Sequence, residues 1–436
     1  MAKILILGNG FDLAHGLPTS YADFLEFSKR AMYIYTYNND SSQFDWRYKE
    51  KLASWAEKSE TNRGRGCVFE EKLIELSRTR KIKEVSFVDD TRKLGTTVVV
   101  NVALDKFYKD LISNIWYDYF LDQYENRKIK GENWIDFESE MSFIIQVLDN
   151  AHESMAQTLC DLIEKQTKIV NNTDWNSDKF KLFINICKKY YQDDLYRIDQ
   201  NFTIRALRER LYADLNRFIL AFEIYLVEFV DTIEIKEQDK IKSIASLAPD
   251  YVISFNYTKT YERYYKKPEH NTRFCYIHGV CDKNRSEFNN NMVMGIDEYL
   301  PETLRSERVD FCIFKKFVQR IRKRNDVSYA TWSEEIENAK EWQRGIVPKD
   351  GKYVAGIIPH FSEIYIYGHS LDLTDKDILK RFLASKHTRI HIFSRDKASE
   401  GELISKLLQI VGEDIVVEKA TNNPLMLQFI TMSQTN

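Results

Sequence analysis

Leu5-Ile6-Leu7-Gly8-Asn9-Gly10-Phe11-Asp12-Leu13-Ala14-His15-Gly16-Leu17-Pro18 is the stretch from which the fold is read. A short apolar run, Ile4 to Leu7, enters a turn carrying Gly8, Gly10 and Gly16, three of the chain's 15 glycines. Glycine is costly in chain entropy, so this clustering marks a backbone path that side chains would block. The segment reads as a buried strand, a tight loop and a helix. The amides of Gly8, Asn9 and Gly10 and the helix N-terminus could then receive a pyrophosphate. A plain strand-to-helix turn fits the spacing nearly as well, because the dinucleotide fingerprint has glycine where this chain has Leu13.

Outward from that stretch, Thr19 or Ser20 is placed to cap a helix from Ala22 to about Ala31. From about Trp46 to Leu247 the pattern is mainly helical. Ile112-Trp116-Tyr119-Phe120, Phe137-Met141-Ile144-Ile145-Leu148 and Leu207-Leu211-Leu215-Phe218-Phe222-Tyr225-Leu226 repeat apolar residues three and four apart. The β-branched run from Thr96 to Val102 reads as a short strand. After Pro249, apolar runs alternate with polar helical stretches: Tyr251 to Phe255, Phe274 to Ile277, Met292 to Met294, Ile364 to Tyr367, Arg389 to Phe393 and Ile415 to Val417. Near-continuous apolar strands between helices indicate a parallel sheet buried on both faces. The expected fold is α/β, a Rossmann-like parallel sheet built by residues 1–45 and 249–436 and interrupted by a large helical insertion at 46–248.

Composition narrows the function classes. The chain has 436 residues, 63 basic and 66 acidic, for a formal net charge of -3, which argues against a polyanion binder driven by bulk charge. Its six cysteines (Cys67, Cys160, Cys187, Cys275, Cys281 and Cys312) form no Cys-x-x-Cys pair. No zinc site, other metal site or disulfide framework is therefore expected, and free thiols fit a reducing compartment. With no charged leader before a cleavable apolar region and no apolar run of membrane-spanning length, a cytoplasmic protein without membrane association is expected.

Ligands of parallel sheets bind at the carboxyl ends of the strands. The residues there are Gly8 to Asp12, Asn256-Tyr257-Thr258, His278-Gly279, and Gly368-His369-Ser370-Leu371-Asp372-Leu373-Thr374-Asp375-Lys376-Asp377-Ile378. Gly8-x-Gly10-x-Asp12 with Gly16-Leu17-Pro18 resembles the opening motif of sirtuins. Phe255-Asn256-Tyr257 resembles their Gln-Asn-x-Asp element, Ile277-His278-Gly279 their His-Gly, and Gly368-x-Ser370-Leu371 their later Gly-x-Ser-Leu loop. Over nearly its whole length, from Gly8-Asn9-Gly10-Phe11-Asp12 onward, the chain resembles the AbiH family of phage-defence proteins. Trp134-x-Asp136-x-Glu138 and Phe317-x-x-Arg320-Ile321 belong to that pattern too. The chain lacks the sirtuin zinc-module cysteine pairs, has Thr258 where the family's aspartate stands, and has Asp12 in place of the loop serine. That points away from protein deacylation.

The resemblance implies a sirtuin-like core that takes NAD as substrate or ligand, with abortive infection as the biological role. Asn256, His278 and Asp12 would be catalytic: His278 the general base, Asn256 holding the water or the nicotinamide amide, Asp12 steadying ribose or the developing cation. Gly8, Asn9, Gly10, Phe11, Gly279, Gly368 and Ser370 would bind the dinucleotide. Water as acceptor gives ADP-ribose and nicotinamide, under a phage-derived trigger and in a chain that can form a homo-oligomer. The alternatives are a non-catalytic nucleotide sensor, an assembly or regulatory effector, and a nucleic-acid-directed toxin using the basic stretch Lys315 to Arg324. Structural roles compete at each position. Asn256 can cap a helix at Thr258, and Asp375 or Thr374 the helix at 376–385. Asp12 can pair with His15, and His369 can be a neighbour of the site. Asp136 and Glu138 suit a helix N-terminus, and the basic stretch suits a surface helix with solvated charges and an apolar face of Phe314, Phe317, Val318 and Ile321.

Overall fold

Lys3–Leu7 forms β1, with Ile4, Leu5, Ile6 and Leu7 all buried, as a central strand between two covered faces requires. The computed structural model describes residues 2–39, 82–85, 98–153, 177–191, 203–283, 289–338, 342–349, 352–359, 361–422 and 425–432. Five strands join β1 in one all-parallel sheet: β2 (Tyr251–Ser254), β3 (Arg273–Tyr276), β4 (Ser362–Tyr367), β5 (Thr388–Ser394) and β6 (Leu427–Thr431). Their order is β6-β5-β4-β1-β2-β3. Ile4 lies opposite Tyr251 on one side and Ile364 on the other. Read from the β3 edge, the order is that of a doubly wound Rossmann-like sheet, which reverses between β1 and β4 and opens a crevice at their carboxyl ends.

The helices are α1 (Gly10–Ala14), α2 (Tyr21–Asn39), α3 (Val102–Leu111), α4 (Ile115–Ile129), α5 (Phe137–Glu153), α6 (Asp178–Tyr191) and α7 (Ile204–Glu228). Beyond β2 come α8 (Thr260–Tyr264), α9 (Lys316–Lys323), α10 (Ser328–Glu337), α11 (Lys376–Leu383), α12 (Lys397–Val411) and α13 (Glu413–Thr421). One sheet face, with Ile4, Ile6, Ile364, Ile366, Ile390 and Ile392, packs on Trp332 of α10, Phe382 of α11 and Leu407 of α12. The other, with Leu5, Leu7, Val252 and Tyr367, packs on Phe11, Tyr261 and Tyr265. A third core, rich in aromatics, joins α2 to α7 through Phe24, Trp116, Phe120, Phe137, Phe183 and Phe218. No helix among the described residues is long and apolar enough to cross a membrane.

Several expected elements differ. Val98–Asn101 is a strand, as its β-branching predicts, and pairs antiparallel with Ile82–Val85. Much of the expected helical stretch after Trp46 lies outside the described residues. Met292 to Met294 is buried but not a strand, because its carbonyls accept from side chains: Lys323 Nζ, Tyr257 Oη (2.7 Å) and Gln319 Nε2 (2.8 Å) respectively. Ile415 to Val417 lies inside α13, where Val416 is buried and Val417 exposed. The last strand is instead Leu427–Thr431, and a hairpin of Trp342–Lys349 with Lys352–Pro359 precedes β4. Ser20 is the cap of α2: its Oγ accepts from Asp23 N at 3.1 Å, and Asp23 Oδ2 accepts from Ser20 N at 3.2 Å.

Candidate active site

At the β1/β4 crossing the backbones nearly touch. A Cβ on Gly8 would lie 2.5 Å from His369 Cα, and one on Gly10 2.7 Å from Gly368 Cα. Gly8 N donates to Tyr367 O (3.1 Å), Gly10 N to Gly368 O (2.8 Å) and Phe11 N to Gly8 O (2.9 Å). The glycines thus serve close packing of two loops, and the amides of Gly8 and Gly10 are committed to protein carbonyls rather than left as a phosphate cradle. This corrects the physical reason for the motif. Asn9 is tied down by Thr19, whose Oγ1 donates to Asn9 Oδ1 at 2.6 Å. The Phe11 side chain turns into the core against His15, Tyr265 and Tyr367 and does not line the cleft.

Above this crossing lies a cleft of about 340 Å³. Its floor is Gly8, Asn9, Gly10, Asp12, Asn256, His278, Gly368 and Ser370, so the ends of β1, β2, β3 and β4 meet as their spacing predicts. Gly279 does not line it. At φ +77° its missing Cβ would sit 2.0 Å from Asn291 O, so this glycine serves a tight turn. The walls come from the helical region: Tyr21 of α2, Asp136 and Glu138 at the start of α5, Phe222 and Leu226 of α7. Lys316, the first residue of α9, completes them.

Asp375 organises the chemistry. His278 Nε2 lies 3.1 Å from Asp375 Oδ1. Burial opposes ionisation of Asp375, but Lys316 and His278 outweigh it and hold this carboxyl well below the usual range. Burial pushes His278 down to about 4 against the pull of Asp375, so the imidazole is neutral at pH 7. Its hydrogen is assigned to Nε2, facing the carboxylate, which leaves Nδ1 as a bare lone pair. Nδ1 is buried without a hydrogen-bond partner. His369 is oriented by Leu371 N, which donates to its Nδ1 at 2.9 Å, so its Nε2 faces Asp375 Oδ2 at 3.6 Å.

Asp12 is fully buried, and burial lifts it to about 6 despite the nearby polar groups of Thr258, Thr260 and Asn256. Thr258 Oγ1 donates to Asp12 Oδ2 at 2.5 Å, while Asp12 Oδ1 and Asn256 Oδ1 have no partner. Asp12 Oδ1, Asn256 Oδ1 and His278 Nδ1 are thus three buried atoms without partners, all on residues that line one cleft.

The cap of α8 is Lys259 and that of α11 makes no side-chain bond, so neither Asn256 nor Asp375 spends its side chain on capping. His15 bonds Phe11 O and Tyr265 Oη, not Asp12. Asp136 does cap α5, accepting from Glu138 N at 3.0 Å, but Glu138 reaches into the cleft to Lys316 at 2.7 Å. The basic stretch is a solvated face only in part: Arg322 and Arg324 are exposed, but Lys315 is buried on Glu298, Arg320 pairs with Asp377, and Phe317 and Ile321 are themselves exposed at 44% and 71%. Sequence reasoning missed Asp375, Glu138 and Lys316 as site residues. The signal for Asp375 was its place in the β4 loop; nothing local marked Lys316. Among the described residues no group of His, Cys, Asp or Glu is placed to hold a metal ion.

No curated protein and no solved structure matches the chain. The model of the bacteriophage abortive infection AbiH family matches residues 4–394, from β1 to the end of β5, and so takes in every strand end that builds the cleft. The chain belongs to the AbiH family of bacteriophage abortive-infection proteins.

Proposed function

We propose that the cleft hydrolyses the ribose–nicotinamide bond of NAD and that the chain serves phage defence by this depletion. The observation that carries the reading is the unpartnered Nδ1 of His278, a cleft-lining residue that Asp375 holds as a neutral base. In the step, water gives a proton to Nδ1 as its oxygen bonds to ribose C1′. The C1′–N bond breaks, its electron pair passes to the pyridinium nitrogen, and nicotinamide leaves neutral. The proton then goes to solvent, and ADP-ribose is the second product. Asp12, once ionised, faces the oxocarbenium-like carbon, and the Asn256 amide holds the water or the carboxamide.

The cleft carries Asp12, Asp136, Glu138, Asp372 and Asp375 against a single lysine. Such a lining suits the cationic nicotinamide–ribose end and sends the phosphates toward the mouth, where Ser370 is exposed. A phage-derived trigger fits this reading, because unrestrained loss of NAD would kill the host. Nicotinamide release by purified protein is the test. His278→Ala and Asn256→Ala should each lower it at least ~100-fold, the scale of a lost general base or its water. Release that survives both substitutions overturns the reading.

A further inference from the structure

Lys316 is, among the described residues, the one lysine or arginine lining the cleft, and it is 4% exposed. Its Nζ lies 2.7 Å from Glu138 Oε2, 2.9 Å from Thr374 Oγ1 and 3.5 Å from Asp375 Oδ1. Glu138 belongs to α5 in the helical region, whereas Asp375 follows β4 of the sheet. One buried ammonium is therefore shared between a carboxylate of the helices and the carboxylate that orients His278. The helical carboxylate has the closer contact.

We propose that Glu138 and Lys316 are a positioning pair for the His278–Asp375 dyad, through which the helical region sets the basicity of His278. The catalytic consequence rests on the hydrolase reading above; the electrostatic link itself does not. While Glu138 holds the ammonium, Asp375 keeps more of its charge for the His278 Nε2–H. Withdrawal of α5 would leave the cation to Asp375 alone, and the imidazole would lose basicity. Charges this deeply buried are poorly screened, so a change of tenths of an ångström to a few ångströms is felt at His278.

The groups acting on His278 are Asp375 from the β4 end, Lys316 and Arg320 from α9, and the Tyr257 ring from the β2 end, while His369 meets the other oxygen of Asp375. Burial lowers His278 most, Asp375 opposes this, and Lys316 and Arg320 reinforce it. Burial also lifts Glu138 to about 7 in spite of Lys316, so its hold on the ammonium weakens as pH falls below neutrality.

The test is a histidine Cε1–H NMR titration of the full chain without NAD, the His278 signal being identified by its loss in His278→Ala. Lys316→Met should raise the His278 midpoint by about one unit, a tenfold change in proton affinity. Lys316→Arg, which keeps the charge, should restore the parental midpoint, and Glu138→Gln should move the His278 Nε2–H resonance at pH 8, where Glu138 is ionised. The double variant Glu138→Gln/Lys316→Met should titrate like Lys316→Met, because Glu138 acts only through the ammonium. It also removes both charges together, so the raised midpoint remains measurable if the single Lys316→Met chain fails to fold with Glu138 unpaired. A parental midpoint without Lys316 overturns the proposal. So does a Nε2–H resonance at pH 8 that Glu138→Gln leaves unmoved, or moves equally with and without Lys316. With no NAD present, neither result depends on whether the cleft turns NAD over, and nicotinamide release separately decides that.

Discussion

Gly368 and Asp12 show how much of the site is decided by single residues. Gly368 has φ +68°, and a Cβ there would lie 2.2 Å from Phe11 N, a backbone atom that cannot move aside cheaply. Gly368→Ala should destabilise the fold by about 2–4 kcal/mol, combining the left-handed penalty with the clash, as chemical denaturation would measure. Leu371 also sits at φ +53°, an unusual conformation for a bulky residue, kept by complete burial of its side chain. Asp12 makes a pH-dependent contribution. Its folded pKa, about 6, lies above the unfolded value, so the stability it contributes is present below about pH 4 and lost as pH rises through 6. Asp12→Asn should therefore gain on the parent by on the order of 3 kcal/mol between pH 4 and 7, read from denaturation midpoints at each pH. Of the candidate residues, Asn256 and His278 were legible because each directly follows an apolar strand. Asp375 and Lys316 were not, since their role arises from partners far apart in the chain.

At the scale of elements, α5 links the helical core to the cleft. Phe137 opens the helix, stacks on Tyr21 (4.2 Å) and Phe120 (4.4 Å), and is fully buried, while the next residue, Glu138, lines the site. Phe137→Ala should cost about 3–5 kcal/mol by leaving a cavity among these rings, with thermal denaturation as the readout. The long amphipathic helices were readable because the 3.6-residue repeat survives over many turns: Leu207, Leu211, Leu215, Phe218 and Phe222 are all buried in α7. Short apolar runs were not. Ile415 to Val417 has strand-like residues but only Val416 needs burial, which a helix supplies equally well. Leu427–Thr431 went unread because its outer members are only partly covered at the sheet edge. In α9 the expected faces are mixed: Lys316 and Gln319 find polar partners inside, while Phe317 and Ile321 are left outside beside the exposed Arg322.

For the whole molecule, the sheet was legible from its alternation of apolar runs and helices, and the strand order places the cleft where such sheets bind ligands. What composition could not show is that the helical region walls that cleft, through Tyr21, Glu138, Phe222 and Leu226. The pairing of β1 with β2 and β4 has a temporal meaning during synthesis. β1 is at the centre of the sheet, yet its neighbours begin only at residues 251 and 362. At roughly 5–20 residues per second the ribosome takes on the order of tens of seconds to supply them. Until then β1 has no flanking strand, and Asp375 has not been added to the chain. A chain that stops short of residue 375 therefore cannot form the His278–Asp375 pair, whatever has already folded around His278.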